Sequence, residues 1–349
     1  MVSVLRRAKT FVMNRVLGPI RVAHSRLKSP EQVEREFRAA KYIADVPVNL
    51  ASIIDLRAEA FPPSGPQPWL DRPDALQQID QKLKAGTITE HEAEHCRKWV
   101  RDGYIIVPNS VPDKKLDEMW SAYEKGIACG AIKVSPESAG EGDAYPGRFL
   151  NPHLKIQLLD ELLHHATFDY WNRLLIGVEP IPFQTITAHK GSQQRTHSDT
   201  IHMTTYPLGY LTAAWVAFED IHPDSGPLVY YPGSHKLPYE ISHAAGLMPG
   251  EWRKDPNAYA RKYEPFVERL VEREKLKPEY FCAKKGDALI WHANLLHGGS
   301  KRKDFKHSRK SVVCHYYFKG VVCYHDLAGV YADIERKSNY DANLADMLM

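Results

Sequence analysis

The chain has 349 residues, 43% of them hydrophobic and 26% charged, and a formal net charge of +3 at pH 7. This length and composition allow one large domain with additions, or two small ones, with a sizeable core. The charge is too small to indicate nucleic acid as a partner, and no stretch interleaves basic with aromatic residues as single-strand binders do. We therefore expect a globular protein without a nucleic acid ligand.

The first 28 residues contain seven arginines and lysines, and no acidic residue precedes Glu31. Their apolar residues recur at near-helical spacing, which favours a helix packed on the domain with its basic face in water. The alternatives are weak contact with a membrane surface through residues 1–28 and an organelle-targeting helix. Six prolines between residues 47 and 73 then predict an extended arm. Residues 1–88 are thus predicted to form a basic helix and a proline-rich arm.

The five cysteines are odd in number, and none of them forms a C-x-x-C pair. This usage favours free thiols in a reducing compartment over a disulfide framework, so the expected location is the cytoplasm. No apolar run approaches the roughly eighteen residues that a membrane-spanning helix needs.

A helix is predicted from Thr89, because Glu92 three residues later completes a capping box and Gly103 provides a stop. This helix contains His91 and His95 in the pattern H-E-x-x-H, which is typical of zinc metalloproteases and places both imidazoles on one face. Charged neighbours do not suit a buried zinc helix, so we interpret the face as solvated. A zinc metalloprotease at His91 and His95 stays open as an alternative.

Residues 182–188 alternate as a strand should, so Gln184 either points into a pocket or is an ordinary half-buried amide. Farther along, His197 and Asp199 stand two apart on a stretch predicted to be extended, and their side chains then point the same way. An imidazole and a carboxylate so placed can share one metal ion. Trp215 lies in a run of small and apolar residues that predicts a central strand buried on both faces.

Residues 244–277 show no strand pattern but contain a helix with apolar residues at spacings of three and four. Long inserts of this kind are often lids, and we expect a lid over the metal site. After the insert, an apolar run leads to His297, beside two glycines. Two histidines and one carboxylate form the facial triad of non-haem Fe(II) oxygenases, so His197, Asp199 and His297 are the candidate ligands. His235 is a less favoured substitute for His297.

An alternating, strand-like segment opens on Arg309. If this strand runs beside the one that ends at His297, the planar guanidinium of Arg309 can bind a carboxylate held at the metal. Ser311 adds a hydroxyl on the same face. The implied ligand is a small dicarboxylate chelator such as 2-oxoglutarate, with its keto-acid end on iron and its far carboxylate on Arg309.

Many short strands bounded by glycine and proline, with helices mostly on the N-terminal side, predict a mainly β protein with helical supports, a double-sheet jelly roll. The order and spacing of several segments also closely resembles the phytanoyl-CoA dioxygenase family over residues 90–320. These segments are residues 197–199, 214–221, 224–235, 285–287, 297–298 and 309–311.

The resemblance implies a double-stranded β-helix of the cupin type in which His197, Asp199 and His297 hold Fe(II). It also implies that Arg309 binds 2-oxoglutarate and that Trp215 lies against this cosubstrate. Ser311 and Gln184 complete the expected cofactor-binding set. The dioxygenase domain is expected to span residues 89–325, with the insert at 244–277, followed by a helical tail at 326–349.

The implied activity is oxidation by O2 of an unactivated C–H bond in a small-molecule or carrier-linked substrate, with release of succinate and CO2. Because Asp199 occupies the position that related halogenases leave for chloride, hydroxylation is favoured over halogenation. Desaturation, epimerisation or cyclisation at the same iron site are alternatives. A non-catalytic jelly-roll binding module is a further one, which the complete ligand set disfavours.

Overall fold

The computed structural model describes residues 67–132, 147–206, 208–242, 244–247, 251, 255–319, 321–325 and 330–332. The predicted helix at residues 1–28 and most of the predicted arm and tail lie outside these ranges. The described α-helices are α1 (Ala75–Lys84), α2 (Glu90–Asp102), α3 (Asp113–Ala128), α4 (Gln157–Leu163), α5 (Ala166–Ile176) and α6 (Ala258–Arg273). The described strands are β1 (Tyr104–Val107), β2 (Arg148–Leu150), β3 (Pro180–Ala188), β4 (Thr204–Tyr206), β5 (Leu211–Ala217), β6 (Leu228–Tyr230), β7 (Glu279–Phe281), β8 (Ala288–His292), β9 (His297–Gly299), β10 (Ser311–Phe318), β11 (Val322–His325) and β12 (Val330–Ala332).

The described strands form three antiparallel sheets. The largest has six strands in the order β1-β8-β5-β10-β3-β2, and its inner face packs on a three-stranded sheet in the order β7-β6-β9. The third sheet has the order β12-β11-β4. Helices cover the outer face of the six-stranded sheet. Two facing antiparallel sheets with helices outside them form the predicted jelly roll with helical supports.

The six-stranded sheet divides the core into an outer and an inner part. On β5, Val216 packs outward among the helices, whereas Trp215 packs inward toward the smaller sheet. On β8, Ile290 and Leu289 alternate in the same way, as the pleat of a strand requires. Every residue of β5 is buried, as predicted for a central strand.

Local sequence signals set both ends of α2 as predicted. The Thr89 hydroxyl accepts a hydrogen bond from the Glu92 amide, and the Glu92 carboxylate accepts one from the Thr89 amide. Gly103 ends the helix with a φ of 80°, in the left-handed region that glycine adopts at little cost. A side chain at position 103 would also collide with His235, because an added Cβ would lie 2.4 Å from the His235 Nδ1.

The chain changes sheets between β8 and β9. β8 ends at His292 in the six-stranded sheet, and His297 opens β9 in the smaller sheet. The strand of Arg309 therefore does not meet the condition of running beside the one that ends at His297, because β10 pairs with β5 and β3. Hydrophobic periodicity does not report a change of sheet. Arg309 consequently approaches the site from the sheet that faces His297.

The insert carries α6, whose buried Tyr263, Val267 and Leu270 pack with Ile201 and Leu296. The last two residues belong to the chain segments that carry the predicted metal ligands. The insert is therefore part of the support of the site. Its role as a lid stays a prediction.

Part of the predicted C-terminal helix is a strand. Residues 330–332 form β12, in which Tyr331 lies opposite Tyr324 of β11. The prediction of a helix is wrong for these three residues, because pairing with a neighbouring strand outweighs local helix preference.

No helix among the described residues combines the length and apolar character that crossing a bilayer requires.

Candidate active site

Three buried side chains converge between the two facing sheets. His197, Asp199 and His297 each offer a ligand atom, and these atoms lie within 4.8 Å of one another. Asp199 Oδ1 is 3.9 Å from His197 Nε2 and 3.6 Å from His297 Nε2. The three residues are 4–5% exposed, so their polar atoms are turned toward one another and not toward bulk water.

Backbone pairing brings the two histidines together. His197 and His297 donate their amide N–H groups to each other's carbonyl oxygens at 2.9 Å, which forms an isolated antiparallel bridge at the edge of β9. Asp199 then opens a short 3-10 turn, Asp199–Ile201, and does not continue a strand. Ser198 between them is extended, so the side chains of His197 and Asp199 still point to the same side.

Each histidine ring is oriented by the same local contact. His197 Nδ1 lies 2.8 Å from the Arg195 carbonyl, and His297 Nδ1 lies 2.9 Å from the Leu295 carbonyl. A carbonyl only accepts, so each Nδ1 carries the proton and each Nε2 presents a lone pair to the centre. Burial, with a smaller contribution from His297, lowers the pKa of His197 to about 3. His197 is therefore a neutral ligand at neutral pH.

Asp199 is held in its ionised form. Burial alone would raise its pKa, but the neighbouring imidazoles, led by His297, and a hydrogen bond from Trp291 lower it. The Trp291 indole Nε1–H donates to Asp199 Oδ2 at 2.8 Å, and His315 Nε2 lies 3.8 Å from the same oxygen. The cluster thus combines two imidazoles with one carboxylate, a donor set suited to Fe(II).

Arg309 lies at the other end of the inner surface. It is 4% exposed, and its Nη1–H donates to the Gly226 carbonyl at 3.0 Å. Its Nε–H has no hydrogen-bond partner among the described residues, and its Cζ lies 5.9 Å from the Trp215 ring. Burial, followed by the positive charges of Arg148 and Arg302, lowers its pKa to about 10. A buried guanidinium with an unpaired N–H is suited to an incoming carboxylate.

The strand register places the other predicted cofactor residues on the same inner face. Ser311, two residues after Arg309, is buried opposite Ala217 on β5. Gln184 on β3 is also buried and lies opposite His315. The Nε2 atom of His315 lies 3.8 Å from Asp199 Oδ2. Ser311 is therefore near the arginine end of the site and Gln184 near the Asp199 end.

Several polar residues at this site were not predicted from the sequence. Gln194 Nε2 lies 3.2 Å from His197 Nε2, and Gln194 Oε1 accepts a hydrogen bond from Arg148 Nη1 at 2.6 Å. Gln194 lies in a loop and Arg148 on the edge strand β2, so no periodic pattern in the sequence indicates that they reach the site. His315 could have been found, since it continues the alternation that begins at Arg309 and Ser311 on one strand face.

Three other candidate histidines lie outside the cluster. His91 and His95 pack on each other with ring centroids 4.4 Å apart, and on Trp171. Among the described residues, no third ligand joins them, because the one group that could hold a metal is the His-Asp-His cluster. His235 packs 5.6 Å from the His292 ring, so it does not replace His297. The zinc metalloprotease alternative therefore lacks a complete site in the part of the chain that is described.

Comparisons with known proteins agree with this geometry. Residues 99–310 match the model of the family described as phytanoyl-CoA dioxygenase (PhyH). The peroxisomal phytanoyl-CoA dioxygenase of Rattus norvegicus is 27% identical over 239 residues, covering 64% of this chain and 67% of the relative. The Homo sapiens enzyme is 27% identical over 256 residues, covering 69% of this chain and 71% of the relative.

Solved structures show the same fold. The non-haem α-ketoglutarate-dependent epimerase SnoN from nogalamycin biosynthesis has a TM-score of 0.52 at 18% identity, covering 72% of this chain and 87% of its own. EctD from S. alaskensis with bound Fe has a TM-score of 0.50 at 18% identity, covering 66% and 77%.

The jelly roll, its buried His-Asp-His cluster and these matches define the class of 2-oxoglutarate-dependent oxygenases, and the protein is an oxidoreductase of that class. Within the class, the chain belongs to the phytanoyl-CoA dioxygenase family, whose model matches more than half of it.

Proposed function

We propose that this protein uses Fe(II), 2-oxoglutarate and O2 to hydroxylate an unactivated C–H bond of a small-molecule or carrier-linked substrate. The observation that carries the proposal is the convergence of His197, Asp199 and His297 within 4.8 Å, on the inner face that also holds Arg309. Separately, each element is common in proteins. Together they supply a metal triad and a carboxylate receptor, all of them buried side chains between the two facing sheets.

His197, Asp199 and His297 would hold the iron. Their chemistry fits the ion, because both Nδ1 atoms are tied to backbone carbonyls, both Nε2 atoms are directed inward, and the carboxylate is ionised. Three protein ligands on one side leave the remaining positions open, which is the arrangement of non-haem Fe(II) oxygenases. When bound, the iron with 2-oxoglutarate and O2 supplies the oxidant, with release of succinate and CO2.

Arg309 would bind the far carboxylate of 2-oxoglutarate. The unpaired Nε–H of its buried guanidinium supports this role, because a buried charged donor without a partner is costly. Ser311 would add a hydroxyl at the same end, and Trp215 would form the wall beside the cosubstrate. Gln184 would line the end near Asp199. Arg148 adds a second positive charge near the site, which suits an anionic cosubstrate.

The remaining task of the chain is to orient the substrate and protect the oxidant from water and from its own side chains. The low exposure of the triad and of Arg309 supports such a sheltered site. Hydroxylation is preferred over halogenation because Asp199 supplies a carboxylate where a halogenase leaves room for chloride. Desaturation, epimerisation and cyclisation are the other outcomes open to the same site, and the mass and configuration of the product distinguish them.

The test is a substrate panel scored by succinate release under air with Fe(II) and 2-oxoglutarate. Because the matched relatives are named phytanoyl-CoA dioxygenases, phytanoyl-CoA stands first, followed by free acids, other acyl-CoA esters and small cyclic metabolites. A substrate should give succinate in equal amounts with a product that has gained one oxygen atom. The variant His91→Ala should retain this turnover, whereas His197→Ala should lose it. Equal turnover by His197→Ala would refute the proposed metal site.

A further inference from the structure

Among the residues around the metal triad, Trp291 makes the most direct contact with a ligand. Its indole Nε1–H donates to Asp199 Oδ2 at 2.8 Å, and both side chains are buried, with Trp291 2% exposed. The ring of Trp291 also packs on the ring of His297, with centroids 4.7 Å apart and planes tilted by 48°. Trp291 therefore touches two of the three candidate ligands.

The two oxygens of Asp199 have different surroundings. Oδ1 faces the Nε2 atoms of His197 and His297, at 3.9 Å and 3.6 Å. Oδ2 faces the protein, where it accepts the Trp291 hydrogen bond and lies 3.8 Å from His315 Nε2. A carboxylate without this donor could rotate and present either oxygen, or both, to a metal. The indole N–H removes that freedom.

The position of Trp291 is fixed by the sheet. It lies on β8, opposite Ala213 of β5 on one side and Tyr104 of β1 on the other. Its inward direction follows from the same pleat that turns Leu289 inward. The donor therefore sits on the rigid six-stranded sheet, whereas Asp199 sits on a short turn between strands. A hydrogen bond from the paired sheet to this turn orients the ligand carboxylate.

We propose that Trp291 is a positioning residue for the metal site, which holds Oδ2 of Asp199 against the protein so that Oδ1 alone is offered to the metal. This inference rests on the proposed role of the triad as the iron site. It concerns how the chain prepares its own ligand, and it adds a residue that neither the sequence pattern nor the ligand geometry by itself identifies.

The experiment measures metal affinity without turnover, by anaerobic titration of the metal-free protein with Fe(II) and with Co(II). Trp291→Phe removes the N–H and keeps an aromatic ring, and it should weaken metal binding by about tenfold to a hundredfold, the usual effect of losing a contact to a ligand. The matched control is Trp99→Phe. Trp99 is fully buried, and its Nε1–H has no hydrogen-bond partner among the described residues. Its replacement should leave metal affinity unchanged.

Two further variants keep the test decisive if Trp291→Phe is unstable. Trp291→His, which retains an N–H donor, should bind the metal more tightly than Trp291→Phe. In Asp199→Asn, the indole N–H should bind the amide oxygen, which leaves the NH2 group facing the metal. Adding Trp291→Phe to this variant should free the amide oxygen to bind the metal, so metal affinity should rise. A purely structural tryptophan predicts the opposite sign in that double variant.

The possible failures are distinguishable. If wild-type protein binds neither Fe(II) nor Co(II) at the triad, the proposed function fails. If wild-type protein binds metal and Trp291→Phe binds it equally well, or if Trp291→Phe and Trp99→Phe lose affinity equally, the positioning role is wrong and the proposed function stands.

Discussion

A histidine is a useful metal ligand only while its proton is held on the other ring nitrogen. In this protein the chain holds it locally, because His197 and His297 each bond through Nδ1 to the carbonyl two residues upstream. The two backbone hydrogen bonds between His197 and His297 place their two imidazole rings side by side. The direction of both Nε2 atoms thus follows from a short piece of backbone on either side of the bridge.

The charge and the shape of Arg309 make separable contributions at the residue scale. Arg309→Lys keeps the positive charge but loses the planar fork that binds a carboxylate through two N–H groups. We expect affinity for 2-oxoglutarate to fall by roughly tenfold to a hundredfold, and to fall further in Arg309→Ala, in line with about 1.5–3 kcal/mol for a hydrogen bond to a charged group. Calorimetric titration with metal-loaded protein measures this. Fe(II) affinity should change little, and unchanged 2-oxoglutarate affinity in both variants would contradict the assignment.

A buried histidine away from the metal predicts how stability depends on pH. Burial lowers the pKa of His235 to about 3, whereas an unfolded histidine titrates near 6.5. Between these pH values the unfolded chain binds a proton that the folded protein does not, so stability falls as pH falls through this window. The contribution is at most about 1.4 kcal/mol per pH unit.

Denaturant unfolding of His235→Gln at pH 7 and pH 5 tests this statement. The variant should lose less stability than wild type on acidification, even if it is less stable at both pH values. Leu76→Ala, at an exposed leucine that carries no titratable group, is the control and should keep the wild-type dependence. An unchanged pH dependence in His235→Gln would show that folding does not lower the pKa of this side chain.

At the scale of elements, helix α6 of the insert supports the metal-bearing segments. Leu270 is 3% exposed and belongs to the cluster that contains Ile201 and Leu296. Leu270→Ala should destabilise the protein by about 2–5 kcal/mol, because it removes buried apolar atoms and leaves a cavity. Leu76→Ala, at a leucine that is 55% exposed on α1, should change stability by less than about 0.5 kcal/mol. Denaturant unfolding compares the two, and similar small losses would mean that α6 does not support the core.

The same helix also brings an aromatic side chain near the site. The Tyr259 ring lies 5.3 Å from the ring of His202, which lies 5.7 Å from the ring of His197. Arg195 pairs with Glu268 at 3.0 Å and so joins α6 to the loop before His197. If the insert is a lid over the iron, the side of α6 that carries Tyr259 should contact the substrate and not the metal.

Tyr259→Ala therefore tests the lid prediction without removing the buried side chains of α6. We expect KM for the substrate and selectivity within the panel to change, while Fe(II) affinity stays the same. Tyr280→Ala, at an exposed tyrosine on β7, is the control and should leave both quantities unchanged. Unaltered KM and selectivity in Tyr259→Ala would argue against a lid that meets the substrate.

At the scale of the whole molecule, the jelly roll and the family were predictable from the sequence, and both are confirmed. Short strands with alternating apolar residues predict the two facing sheets, and the order of the motifs indicates the family. The neighbours of β10 could not be predicted, because the sheet change between His292 and His297 leaves no periodic pattern in the sequence. Trp291 was not singled out from the sequence, since only the folded sheet shows which polar atom its N–H reaches.

The names of the relatives and the cysteine usage of this chain indicate different locations. The relatives are named as peroxisomal, whereas the cysteine usage of this chain led to the expectation of cytoplasm. Cys96, Cys129, Cys282 and Cys314 are free thiols, which fits a reducing compartment. The cytoplasmic location stays a prediction, as do the roles of the N-terminal basic helix and arm.

The central claim is that His197, Asp199, His297 and Arg309 form one site for Fe(II) and 2-oxoglutarate. Anaerobic addition of Fe(II) and then 2-oxoglutarate tests it most directly, because a keto acid chelated to Fe(II) gives a weak visible charge-transfer band. The wild-type protein and His91→Ala should both show the band, His197→Ala should show none, and Arg309→Ala should need far more 2-oxoglutarate. A band of equal strength and equal 2-oxoglutarate dependence in all four proteins would contradict the account.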